Sequence, residues 1–293
     1  MPAISKQHPT KVVKKSSGSI LNRARSVAEV RPEHVKMTVY GGNRTGKTTF
    51  GCTWPKPLLL VSYEPAEAGG TESVSDVDGV EVIQLKTRED MLTLCEELKD
   101  GSPYKTHVLD TGTSFQDAIL CEILGLEKLP EQMSFGGVKK EQYFARADQV
   151  KEAMRKFMGL PAHTLVLNQE KDHRPRDKDT TDMTPKLVAG LKLDSFIASD
   201  LGGSTVGWLH DVCPAICRLY VAEREEMIEV EKKGVKLKQV SMVRERRLLM
   251  QLQPNFAAGF RSPTSVKVPD YIVDPTFDKI AKVLQWKVDL IHT

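Results

Sequence analysis

The chain has 293 residues, of which 40% are hydrophobic and 28% charged, and a net charge of +3. That balance excludes disorder throughout the chain and a fibrous protein, and no run of 18 apolar residues exists to span a membrane. Five cysteines (Cys52, Cys95, Cys121, Cys213, Cys217) are too few and too scattered for a disulfide scaffold; the close pair Cys213 and Cys217 reads as buried thiols in a reducing cytosol rather than as zinc ligands.

Residues 1–34 read as a flexible basic arm, and 35–293 as one folded domain. Residues 1–36 carry eight Lys/Arg against Glu29 and Glu33, a net of +6, so the remainder carries −3. A basic arm on a nearly neutral body suits contact with a polyanion. The arm has no apolar stretch of a secretory leader, which points to the cytoplasm. Within it, Ile20–Val27 could form a short helix.

Beyond the arm, strands and helices alternate. Val35–Tyr40 is an apolar run ending at Gly41-Gly42. Leu58–Tyr63 is continuously apolar, as expected of a strand buried on both faces of a parallel sheet. Val80–Leu85 is a further strand, followed by a helix over Thr87–Leu98 with Met91, Leu94, Cys95 and Leu98 on one face. His107–Asp110 ends a strand; a Thr-Gly-Thr-Ser turn then leads to a helix over Gln116–Leu124. After a long connection at 125–141, Tyr143, Ala147, Val150, Met154 and Phe157 mark one face of a strong helix. Thr164–Asn168 is a strand, and the polar stretch Lys171–Pro185 is a mobile loop. Ile216–Ala222, Met227–Val230, Val235–Met242 and Arg247–Leu252 read as four successive strands, with Lys233-Gly234 as a hairpin turn. Asp274–Trp286 closes as a helix with Phe277, Ile280, Val283 and Leu284 inward. The expected fold is α/β: a mostly parallel sheet flanked by helices, with a C-terminal antiparallel extension.

The strongest chemical signal is Gly41-Gly42-Asn43-Arg44-Thr45-Gly46-Lys47-Thr48-Thr49, which fits G-x-x-x-x-G-K-[ST] between a strand and a helix. Glycines let the backbone turn sharply and approach a phosphate, and loop N–H groups then face the anion. Lys47 would reach the β- and γ-phosphates of ATP, and the Thr48 hydroxyl would hold Mg²⁺. His107-Val-Leu-Asp110 is an apolar strand ending in the acid that commonly supports the metal. Glu64, at the end of Leu58-Leu-Leu-Val-Ser-Tyr-Glu, could orient water and take its proton. The amides of Asn168-Gln169 end the strand Thr164–Asn168, where one could sense the γ-phosphate.

This order of motifs resembles the RecA-type recombinase ATPase core. Within that class it most resembles short phage-encoded RecA-like ATP-binding proteins, some of which act in single-strand annealing. Tyr40-Gly41-Gly42, Trp54-Pro-Lys-Pro-Leu, Leu160-Pro161 and Asp274-Pro-Thr-Phe-Asp-Lys-Ile carry the closer likeness, which covers about residues 35–286. The resemblance implies Lys47 and Thr48 on phosphate and Mg²⁺, Glu64 as catalytic carboxylate, Asp110 as metal-side acid and Gln169 as sensor. It places DNA-binding loops after Gln169 (Lys171, Arg174, Arg176, Lys178) and within 125–141 (Lys139, Lys140). It also implies a homo-oligomer, ring or filament, in which a neighbour's basic residue completes the ATP site. Arg261 is the candidate for that role, with Arg218 and Arg224 as rivals; Gly259 stands where the related proteins often carry a Lys.

The leading functional reading is a DNA-dependent ATPase of recombination acting on single-stranded DNA, with a single-strand DNA-binding protein as a possible partner. Lys171–Lys186 has a net charge of only +1, so the arm is the better electrostatic candidate for DNA. A nucleotide-gated scaffold or motor subunit of a phage replication or packaging complex, and a small-molecule kinase, are the alternatives. A GTPase is disfavoured: Asn-Lys-x-Asp is absent, and Thr113 stands where an Asp-x-x-Gly switch needs glycine.

Overall fold

The computed structural model describes residues 34–63, 71–127, 138–173, 196–232, 235–253, 255–263 and 265–285. The basic arm, its short helix at 20–27, Glu64, Arg174, Arg176, Lys178 and the turn at 233–234 lie outside the described residues. Residues 34–293 form one compact unit.

In chain order the elements are β1 (Lys36–Gly41), α1 (Lys47–Gly51), β2 (Leu58–Ser62), a 3-10 turn at Thr71–Val74, β3 (Val80–Gln84), α2 (Arg88–Leu98), β4 (Thr106–Asp110), α3 (Gly112–Leu124), α4 (Lys140–Met158), β5 (His163–His173), β6 (Phe196–Ser199), α5 (Gly203–Val212), β7 (Ala215–Lys232), β8 (Val235–Leu249), β9 (Gly259–Phe260), β10 (Tyr271–Val273) and α6 (Phe277–Val283). They build an α/β fold around one mixed sheet in the order β10-β8-β7-β1-β5-β4-β2-β3. Strands β7, β1, β5, β4, β2 and β3 run parallel. Antiparallel β8 and β10 extend one edge, β6 pairs with β5, and β9 with β7. No helix among the described residues is long and apolar enough to cross a membrane.

Strand alternation sends successive side chains to opposite faces, and helices cover both. Leu59, Val61, Leu109 and Val166 pack with Met91 and Leu94 of α2, Phe115 of α3, Val150, Met154 and Phe157 of α4, and Val206 of α5. Leu58, Leu60, Val108, Leu165 and Leu167 face the other way, onto Phe50 of α1, Trp54, and Phe277 and Ile280 of α6. The continuous apolar run of β2 follows directly, since neither face meets water; β4 is buried throughout as well, but there Thr106, His107 and Asp110 flank Val108 and Leu109.

Several elements differ from the sequence reading. Helix α3 begins at Gly112, not Gln116: the Thr111 side chain caps it by accepting from Ser114 N, so the expected turn is its first turn. Tyr143 is 42% exposed rather than inward, with the Arg146 guanidinium 5.0 Å from its ring centroid. Strand β5 runs on through Lys171 to His173, because β6 supplies a backbone partner for that polar end. The four expected C-terminal strands are two. Glu223 and Arg224 interrupt the apolar pattern without interrupting the ladder, since Arg244 and Glu245 of β8 pair with them at 2.8 and 3.0 Å. Helix α6 is shorter than expected, starting after its Thr276 cap.

Two histidines on this framework, one buried and one partly so, make stability depend on pH. His107 is fully buried, with Nε2 2.7 Å from the Ser102 hydroxyl. Burial, then the charges of Lys36 and His34, pull its pKa down to about 4. Burial does the same to His210, also to about 4. An unfolded histidine titrates near ~6.5, so between about 6.5 and 4 the unfolded chain binds the extra proton. Stability is therefore full above that window and falls as the pH drops through it, by about 2 kcal/mol per histidine at pH 5. Urea unfolding of wild type and His107→Gln at pH 7 and pH 5 checks this. The variant should lose less on acidification; an identical loss would refute the assignment to His107.

Candidate active site

Strand β1 is buried from Met37 to its end at Gly41 and delivers the chain into a tight loop. A Cβ on Gly41 would sit 2.2 Å from the Leu219 carbonyl oxygen of β7, so only glycine lets the two backbones approach. Gly46, at φ 88°, ψ 30°, is the left-handed residue that turns the loop into α1.

Lys47 opens α1 and folds back over the loop, 7% exposed. Its ammonium donates to the carbonyls of Gly41 and Gly42, both at 2.9 Å, and to Gln169 Oε1 at 3.0 Å. The Thr48 hydroxyl donates to Asp110 Oδ2 at 2.6 Å. Asp110 ends β4, and burial raises its pKa against the opposing effects of the Thr48 hydrogen bond and the Lys47 charge. A hydroxyl and a buried carboxylate side by side, beside a loop shaped for phosphate, is a donor set that fits Mg²⁺, which takes one or two protein oxygens along with phosphate oxygens.

The chemistry of this loop is matched by a comparison of the whole chain: the family model of the AAA domain fits residues 33–260. The chain belongs to the AAA domain family. It is a P-loop ATPase of AAA type, and comparison with curated proteins gave no match.

Within this AAA domain the strand order explains the contacts. β5 lies between β1 and β4, so Gln169 stands between the phosphate loop and the Asp110 strand. The two amides where β5 leaves its pairing with β1 separate by face. Gln169 meets Lys47, while Asn168 is fully buried, donates to the Thr38 hydroxyl at 3.0 Å and lies against Gly112 of α3. Gln169 is held by its own backbone: its N–H donates to Thr113 Oγ1 at 3.1 Å, and its carbonyl accepts from Asp200 N at 2.7 Å. Ser62 of β2 is in register with Asp110, and the described part of that strand's exit ends at Tyr63.

The other expected site residues are spread out. Asn43 and Arg44 form the exposed tip of the loop, Arg44 at φ 60°. The Thr45 hydroxyl donates to the Gly42 carbonyl at 2.9 Å, and Thr49 lies on α1. Arg261 is not brought to the loop of its own chain. It follows β9, which pairs with Ala215, and Ala215 is level with Met37 at the opposite end of β1; its guanidinium donates to the Asp211 carbonyl. Arg218 is near the loop but engaged, bonded to Glu170 at 2.9 Å and stacked on Phe256 at 4.2 Å. Arg224 pairs with Glu245 and Glu226. Lys139 and Lys140 are exposed where α4 begins, and Lys171 pairs with Asp200 at 3.0 Å. Two residues that no motif marks stand at the loop: Glu170, whose Oε1 would lie 3.2 Å from a Cβ on Gly42, and Arg246. A Cβ on Gly46 would lie 3.0 Å from Arg246 Cζ of β8.

Proposed function

We propose that this AAA domain is a RecA-like ATPase that binds Mg²⁺ and ATP at the Gly41–Thr48 loop and hydrolyses ATP while acting, as an oligomer, on single-stranded DNA in recombination or annealing of the phage type. The observation that carries the reading is the 3.0 Å bond between Lys47 and Gln169. A cation that faces the terminal phosphates shares its hydrogen bonds with the residue at which β5 leaves the central sheet.

Lys47 would exchange its carbonyl and amide partners for phosphate oxygens when ATP enters. Thr48 and Asp110 would hold Mg²⁺, which neutralises charge on the β- and γ-phosphate oxygens. In hydrolysis, water oxygen bonds to the γ-phosphorus, the bond to the β–γ bridging oxygen breaks, and the water proton passes to a base. Glu64 is the base in this reading. Gln169, released or retained by Lys47, reports the state of the γ-phosphate to Glu170–His173 and the segment beyond it, the expected DNA-binding stretch. The oligomer finds support in the β7–β8 arm, where Met227, Val240 and Met242 share one face and are 63%, 53% and 57% exposed.

ATP turnover with and without single-stranded DNA tests the proposal, with molar mass by light scattering in parallel. Turnover should rise at least several-fold with DNA, and the mass should exceed that of a monomer when DNA and an ATP analogue are present. Rapid turnover indifferent to DNA, with phosphate passed to a small metabolite, would replace this reading by a kinase.

A further inference from the structure

Strand β8 reaches the phosphate loop through two ladders. β1 and β7 pair up to Tyr40 and Arg218, and the Leu219 carbonyl crowds Gly41. β7 continues past that point, and Val221, two residues on, is in register with Arg246 of β8. Alternation puts Arg246 on the face of Leu248, which packs in the core beside Phe50 of α1. The guanidinium therefore lies over the loop: from a Cβ on Gly46, Cζ would be 3.0 Å, Nε 3.1 Å and Nη1 3.2 Å away.

What distinguishes Arg246 is the state of its neighbours. Arg218 is paired with Glu170, Arg224 and Arg247 with Glu245, and Arg244 with Glu223. Arg246 is exposed and has no ion pair or side-chain hydrogen bond among the described residues. A strand pairing fixes its position, yet no carboxylate among the described residues neutralises it. Its planar fork of donors suits two phosphate oxygens at once.

We propose that Arg246 is a nucleotide-binding residue of this chain's own site, holding phosphate oxygens common to ATP and ADP from the β7–β8 side of the loop, opposite Gln169. The inference rests on the reading of the loop as a nucleotide site. The position over Gly46, where α1 begins, sets it apart from the γ-phosphate side that Lys47 and Gln169 share. The loop is then gripped by two cations, one from α1 and one from a strand far along the chain.

The test is binding of ATP, ADP and inorganic pyrophosphate to wild type, Lys47→Ala, Arg246→Ala, Arg246→Lys and Arg244→Ala. Arg246→Ala should weaken all three ligands by roughly 10- to 100-fold, the range of a charge-assisted hydrogen bond. Arg246→Lys should recover part of the loss, keeping the charge without the fork. Arg244→Ala should bind as wild type does, since Glu223 already occupies that arginine. The melting temperature of ligand-free Arg246→Ala should equal that of wild type, while its increase on adding ADP should shrink. Wild type that binds none of the ligands would overturn the site itself. Normal wild-type binding, lost in Lys47→Ala but within twofold of wild type in Arg246→Ala, would overturn the role of Arg246 alone. A loss confined to ATP would overturn the shared-phosphate assignment, and a lower melting temperature without ligand would make the residue structural.

Discussion

Lys47→Ala should abolish measurable ATP turnover and weaken ATP binding, with the largest loss of any single substitution in the loop. The ammonium is nearly buried and faces the loop carbonyls and Gln169 in a region screened from solvent. There a charge directed at phosphate is worth far more than in water, and removal of one such group costs turnover roughly 10²–10³-fold. Lys47→Arg is the informative companion. It keeps the charge, but its wider head cannot fit the three acceptors that converge on Nζ, so it should bind ATP better than the alanine variant without recovering turnover. Steady-state phosphate release and ATP titration of both variants check this. Turnover by Lys47→Ala at the wild-type rate would show that the loop does not serve the reaction.

Asp110→Asn should lower turnover by about 100-fold or more while leaving the ligand-free fold as stable as before, or more so. The asparagine keeps the shape, and its carbonyl oxygen can still accept from Thr48. What it loses is a charge whose burial is unfavourable in the absence of a cation. Because burial raises the Asp110 pKa, the ionised side chain works against the folded state as the pH climbs from the unfolded value of ~3.9 through the folded one. The variant lacks that cost at neutral pH. A melt without metal should therefore favour the variant or show no difference, whereas a Mg²⁺ titration of ATP turnover should show a lost or much weakened response. A variant that melts well below wild type would make Asp110 a framework residue. Glu64→Gln separates the two acids: it should bind ATP, retain the metal response and lose turnover by ~10²–10⁴-fold.

Where β7 and β8 run shows the limit of reading patterns along the chain. Apolar residues thin out at Glu223–Glu226, and a search for alternation splits the hairpin there. In the folded chain the ladder continues, because charged residues on facing strands satisfy one another. The short strands β6, β9 and β10 have too few residues for a period to emerge, and each exists only because a longer strand offers it an edge. Helix α5 begins at Gly203 without a side-chain cap, so no start signal marks it.

The sequence by itself determined the parts whose chemistry is local. The phosphate loop is legible because glycine spacing, Lys47 and Thr48 are all needed within one turn and one helix start. Strand β2 is legible because burial on both faces leaves an unbroken apolar run, and α2 and α4 because a helix has one inward stripe. Only the tertiary structure decided which residues meet across the sheet. It turned Asn168 onto Thr38 and Gly112, sent Arg261 to the far end of β1, and brought Arg246 over Gly46. Those outcomes depend on strand order and register, and an isolated strand's pattern specifies which face is buried but not which strand will lie beside it.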